Sequence, residues 1–265
     1  MKLNVICPLQ FAVAAVLFSS CAHPGNEIQT GSGARHNTLT AREKADGWRL
    51  LWDGQTTAGW RSPKSDSFPT TNWLIKDGEL SVVPSGNPES QVGGDIITRD
   101  RYSNFDLMVD FKTTPVCNSG IKIFVQPNLN SSTGVNGAPG TGSCLGLEYQ
   151  ILDNDRHPDA KLGHDGNRRQ GALYDILPAG PNTPLGPVGE WNHARIVSRG
   201  RHVEHWLNGV KILEYERGSA EFRAGIARSK FSKIPNFGEW ADGHILLQEH
   251  GTEVSFRGIK LKVLP

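Results

Sequence analysis

No apolar run in this chain is long enough to cross a bilayer. The stretch from Phe11 to Phe18 falls well short of the ~20 residues that a spanning helix needs. Basic blocks are missing too: 28 basic residues, Lys2 among them, stand against 27 acidic ones, a balance that argues against nucleic acid as a partner. There is no glycine-rich phosphate loop and no Gly-x-Ser-x-Gly elbow, which removes two large classes of catalytic motif. Sustained helical periodicity is absent, and only Ala220 to Phe231 has the pattern of a short helix. Cysteine is scarce, at four residues.

The N-terminus has one basic residue, the short apolar stretch, and Ser19-Ser20 before Cys21. This reads as a secretory signal over residues 1–20. Phe18-Ser19-Ser20-Cys21 resembles a bacterial lipobox, with Phe18 replacing the usual aliphatic residue. The expectation is a lipidated Cys21 and an exported, membrane-anchored lipoprotein of the bacterial cell envelope, periplasm or outer membrane. Ordinary signal cleavage with an unmodified Cys21 is the alternative. Ala22 to Ala45 has almost no bulky apolar residues and reads as a flexible tether, so the region 21–45 precedes a domain over 46–265. Those ~220 residues suit one large β sandwich. Of the cysteines, Cys117 and Cys144 remain in the domain. Export permits a disulfide. Yet they begin two strands that look like hairpin partners, whose starts would lie roughly 25 Å apart at ~3.3 Å per residue, so two buried thiols are expected.

What the domain does have is strands. Phe105 to Phe111 alternates, with Phe105, Leu107, Val109 and Phe111 on one side and Asp106, Met108 and Asp110 on the other. Similar runs start at Trp48, Trp73, Leu80, Ile121, Leu145, Trp191, His202, Val210, His244 and Glu253, with Asp-Gly and Asn-Gly turns between several of them. About ten to twelve strands, punctuated by 30 Gly and 16 Pro, indicate an antiparallel sandwich.

The run Glu148-Tyr-Gln-Ile-Leu-Asp153 stands out. Alternation puts Leu145, Leu147, Tyr149 and Ile151 on one face, and Gly146, Glu148, Gln150 and Leu152 on the other. A carboxylate and an amide in a buried strand need partners or a wet cleft. A bulge near Ile151-Leu152 would bring Asp153 onto the face of Glu148. Collecting polar residues that face away from apolar rows gives Asp110, Lys122, Glu148, Gln150, Gln248 and His250, which could line one concave sheet. An ordinary solvated face is the competing reading. The segment Asn154 to Pro187 is Gly- and Pro-rich and too long for a plain connection, and it carries His157, Asp159, His164, Arg168, Arg169, Tyr174 and Asp175. His157, Asp159 and His164 are metal-ligand types at a spacing that matches no zinc or calcium loop. A hydrogen-bonded loop is favoured there, and a divalent metal is left open. His205-Trp206 places an imidazole and an aromatic at a strand end, for ligand stacking or for packing.

Taken in order, Gly47-Trp-Arg-Leu-Leu-Trp-Asp-Gly54, Gly93-Gly-Asp-Ile-Ile-Thr98, Asn118-Ser-Gly-Ile-Lys122, Gly146 to Asp153, His157-Pro-Asp-Ala-Lys161, Glu190-Trp-Asn-His193, Val203 to Gly209, Gly243 to Gln248 and His250-Gly251 resemble the 3-keto-disaccharide hydrolase domain family. The resemblance implies an all-β, concanavalin A-like lectin/glucanase sandwich (jelly roll) of two curved antiparallel sheets, usually exported. More distantly, Glu148-x-Gln150-x-x-Asp153 is similar to the Glu-x-Asp-x-x-Glu strand of family 16 glycoside hydrolases, but Gln150 cannot tune a proton and Asp153 is one methylene shorter. A retaining mechanism with two carboxyls ~5 Å apart is therefore in doubt. A ketone at carbon 3 acidifies the hydrogen on carbon 2, so a base can form an enolate that expels the group on carbon 1, and water can then add. The reading assigns Glu148 as base, Lys122 as stabiliser of the enolate oxygen, and Asp153 or His157 as proton donor. Gln150, Asp110, Tyr174, His205, Trp206, Gln248 and His250 are taken to hold an oligosaccharide or glycoside. A lectin-like module and a lyase that stops at the unsaturated product are the alternatives.

Overall fold

A computed structural model describes Met1 and residues 36–84, 94–130 and 143–265, so the expected signal and Cys21 lie outside the described residues. In chain order the elements are α1 (Ala41–Ala45), β1 (Trp48–Leu50), β2 (Trp60–Arg61), β3 (Trp73–Lys76), β4 (Glu79–Val82), β5 (Ile96–Thr98), β6 (Phe105–Thr113), β7 (Asn118–Asn130) and β8 (Cys144–Leu152). They continue with β9 (Trp191–Arg199), β10 (His202–Leu207), β11 (Val210–Glu216), α2 (Ala220–Arg228), β12 (His244–Leu247) and β13 (Val254–Val263).

The strands form two antiparallel sheets. The larger runs β11-β10-β9-β6-β13-β4-β3, with β1 also on β13, and the smaller runs β2-β5-β12-β7-β8. Together they make a concanavalin A-like sandwich, as expected. Alternation drives it: Phe105, Leu107, Val109 and Phe111 of β6 point between the sheets and meet Ile121, Ile123, Leu147, Tyr149 and Ile151 from β7 and β8. Two irregularities keep this parity. On β13 the register shifts between Arg257 and Lys260, where Gly258 adopts φ +58°, so Phe256 and Ile259 both stay inside while Arg257 and Lys260 face out. On β7 the chain kinks at Phe124 (φ +55°), and a Cβ on Gly243 would stand 2.2 Å from the Phe124 carbonyl carbon, so only glycine permits that approach.

Residues 36–45, read as tether, pack on the domain instead. Buried Asn37 donates to the Gly78 carbonyl and accepts from the Gly258 amide, both at 2.9 Å, and α1 starts with a capping box between Thr40 and Glu43. Short polar segments like this hold by hydrogen bonds that hydropathy does not register. Cys117 and Cys144 are both buried thiols with no disulfide between them, and burial pushes the Cys117 thiol up to about 12.

Candidate active site

The smaller sheet builds a charged cluster on the face turned away from the core. On β8, Gly146, Glu148 and Gln150 alternate with the core residues Leu145, Leu147, Tyr149 and Ile151. β7 sets Lys122 directly opposite Glu148 and Gly120 opposite Gln150, while β12 sets Leu246 opposite Lys122. Gly120 makes room for the acid: a Cβ there would stand 2.6 Å from Glu148 Oε1. Lys122 Nζ lies 3.6 Å from Glu148 Oε2, donates to the Cys144 carbonyl at 3.3 Å and also to Ser143 Oγ. Ser143 in turn donates to Asp95 Oδ2 at 2.5 Å. One ammonium is thus shared by two carboxyl groups, with Glu148 7%, Lys122 4% and Asp95 2% exposed. Burial raises the pKa of both acids, and the charge of Lys122 works against it in each case. Gln150 sits with its amide beside the Ser119 carbonyl and Glu148 Oε1; with the nitrogen turned toward these acceptors it donates at 3.0 and 3.1 Å.

The long segment after β8 supplies the cover. Gly171 to Tyr174 lies along the edge of β8, with Gly171 N donating to the Gln150 carbonyl at 2.8 Å and Tyr174 N to the Glu148 carbonyl at 3.0 Å. Arg168 donates to Asp175 at 2.6 Å and Asp159 at 2.8 Å, and Asp175 also accepts the Lys230 amide at 2.8 Å. That clamp brings the end of α2 to the cleft and sets the Lys230 ammonium 4.5 Å from the Tyr174 ring centre. The cleft is lined by Glu148, Lys122, Tyr174, Lys230, Gln248 and His250, together with Asn118 and Ser143. The cleft has about 40 Å³ of room, a few times what one buried water needs. Burial holds the His250 imidazole down to about 4 and pushes the Tyr174 phenol up, so both are neutral at pH 7.

Of the residues expected from sequence, Glu148, Lys122, Tyr174, Gln248 and His250 meet at the cleft, with Gln150 beside them. Asp153 does not join them, because the β7–β8 register runs unbroken from Ile123/Leu147 to Asn118/Leu152 and the expected bulge is absent. Its carboxylate instead caps the next loop. Burial would raise its pKa, but the Val116, Asp155 and Arg156 amides and the Arg156 guanidinium outweigh that and keep it low, so it is no proton donor. His157 caps the 3-10 turn Pro158–Lys161, its Nδ1 accepting the Asp159 amide at 3.2 Å, and it neighbours His250 without lining the cleft. Among the described residues, His157, Asp159 and His164 form no three-ligand group, and Asp159 is engaged by Arg168.

Asp110 and Trp206 belong to the larger sheet and face out from it, away from the cleft. His205 lies between the sheets, 4.9 Å from the Tyr149 ring and 5.6 Å from that of Tyr215, with Nδ1 3.0 Å from the Gly171 carbonyl. Burial takes its pKa down to about 4, so it packs as a neutral core residue. Sequence reasoning missed Asp95, Ser143 and Lys230 as site residues. Asp95 carried a signal, an acid directly before the apolar pair Ile96-Ile97. Lys230 carried none, since a contact 55 residues away in Asp175 sets its place.

The sandwich and its charged cleft define a carbohydrate-active enzyme of hydrolase type. The chain belongs to the 3-keto-alpha-glucoside-1,2-lyase-like domain family, whose model matches residues 47–262. It is 34% identical to a 3-keto-disaccharide hydrolase of Bacteroides thetaiotaomicron, over 98% of this chain and 99% of that one. Two solved structures of candidate glycosyl hydrolases from Parabacteroides distasonis are also similar. One superposes with a TM-score of 0.72 at 27% identity, covering 86% of this chain and 99% of its own. The other gives 0.56 at 26% identity, covering 82% and 99%.

Proposed function

We propose that this protein cleaves glycosidic bonds of 3-keto-glycosides, disaccharides included, by proton abstraction beside the ketone, elimination and hydration. Glu148 takes the hydrogen from carbon 2, and the negative charge moves to the oxygen on carbon 3, where Lys122 stabilises it with Lys230 nearby. The enolate expels the oxygen substituent on carbon 1, leaving a carbon 1–carbon 2 double bond conjugated with the ketone. Glu148, whose proton affinity burial has raised, gives its proton to the departing oxygen. Water then adds at carbon 1, with a proton returned to carbon 2. Tyr174, Gln248 and His250 hold hydroxyl groups at the rim.

One observation carries this reading: among the described residues lining the cleft, Glu148 is the one carboxyl, and it faces an ammonium at 3.6 Å. A retaining or inverting glycosidase needs two carboxyls turned toward the substrate, ~5 or ~6.5–9.5 Å apart. Asp95 is turned to Ser143 and the Glu249 amide instead. A pure lectin gains nothing from a buried acid–lysine pair that is costly to desolvate. The deciding test is incubation in D2O with a 3-keto-disaccharide and with its unoxidised parent. The expected result is cleavage of the keto compound alone, with deuterium on carbon 2 of the product. Cleavage of both would sink the reading in favour of an ordinary glycosidase, and an accumulating enone would mark a lyase.

Export on a lipid at Cys21 belongs to the same proposal. Changing Cys21→Ala is expected to move the protein from the membrane fraction to the soluble one; an unchanged distribution would remove the anchor.

A further inference from the structure

The outer face of the larger sheet carries a second hollow, of about 550 Å³, in the size range of small-molecule sites. Register builds its floor: Trp206 of β10 stands opposite Arg195 of β9, Arg195 opposite Met108 of β6, and Met108 opposite Lys260 of β13. The neighbouring row is His193, Asp110 and Arg257. Residues 36–43, pinned by Asn37, form one wall.

The charges in this hollow are already matched. Arg195 holds Asp106 through two bonds at 2.7 and 2.6 Å, His193 meets Asp110 at 2.6 Å, and Arg257 is 3.6 Å from the same carboxylate. Lys260 pairs with Glu43. His36 is kept low by burial and by Arg257 and is neutral at pH 7. An ionic ligand would find no uncompensated field here. A neutral polyol would find fixed donors and acceptors side by side, at little cost in ordering them. Trp206 adds an apolar plate: it is half-buried, its Nε1 is tied to Glu204 at 2.8 Å, and Met108 extends the apolar patch. An aromatic plate beside fixed polar groups suits a sugar ring, which has an apolar C–H face and a polar edge.

We propose that this hollow is a second, non-catalytic site that binds neutral carbohydrate and holds the enzyme on its glycan. It lies on the sheet opposite the cleft, and it is independent of the chemistry assigned there. The test is affinity electrophoresis of the full chain in native gels containing laminarin, dextran or soluble starch. Wild type and Glu148→Gln should be retarded by at least one of the three. Trp206→Ala, and Thr38→Trp, which fills the hollow from an exposed position, should weaken that retardation roughly tenfold, about 1.4 kcal/mol. Turnover of a small soluble substrate should stay unchanged in both. Equal retardation of the two variants and wild type would overturn the proposal. So would no retardation of wild type by any of the three glycans, or its loss in Glu148→Gln.

Discussion

Replacing Glu148 with glutamine is expected to lower turnover of a 3-keto-disaccharide by about 10²–10⁴-fold, the usual contribution of a positioned base. Glutamine keeps the shape that Gly120 accommodates, and its oxygen can still accept from the Gln150 amide. Lys122 keeps its contacts to Ser143 and the Cys144 carbonyl. Removing a buried carboxylate relieves desolvation but also takes one partner from Lys122, and these effects oppose each other. The melting temperature should therefore shift by only a few degrees. KM should change little, because the lost step comes after binding. In wild type the base must be ionised to act, so turnover rises with pH as Glu148 loses its proton. Burial raises that pKa, which places the acid limb above the ordinary glutamate value of 4.5. Deuterium should no longer enter carbon 2 in the variant. Full activity in Glu148→Gln, or an acid limb at or below 4.5, would dismiss Glu148 as the base.

Why some of the site is legible in the sequence and some is not follows from what alternation encodes. A polar residue that interrupts an apolar row reveals which face of its strand it occupies. That parity found Glu148, Lys122, Gln248 and His250, all carried on or beside strands of the smaller sheet. Asp110 and Trp206 interrupt their rows in the same way, but β6 and β10 lie in the other sheet. Sheet membership is set by pairing between distant strands, which parity does not contain. His205 is a different miss. It shares its parity with Val203 and Leu207, both buried, so its core position was readable. Asp153 shows the limit for register: bulges occur at Gly258 and around Phe124, where positive φ is needed, and not at Ile151-Leu152. Lys230 and Ser143 sit just outside regular elements, where no period marks them.

Lys122→Met should damage both activity and stability, and the stability loss should depend on pH. Methionine fills similar volume but leaves the acids on either side without their shared cation. Breaking a buried pair from one side costs about 3–5 kcal/mol. In a domain of this size that corresponds to a fall in melting temperature on the order of 10 °C. The sign follows from the two carboxyls. Glu148 and Asp95 already have folded-state pKa values above their unfolded ones, because burial outweighs the help from Lys122. Without Lys122 both rise further. Such groups cost nothing extra while protonated in both states, at low pH. The penalty grows as pH climbs from the unfolded carboxylate value to the raised folded one, and is constant above it. The variant should therefore approach wild-type stability near pH 4 and fall furthest behind by pH 8. Turnover should drop by about 10²–10³-fold as the enolate loses its stabiliser, and the acid limb of the remaining activity should move to higher pH. Melting curves across that range separate the two roles. A stability deficit that is the same at both ends would mean that Lys122 only fills space, and the shared-cation account of the cleft would fail with it.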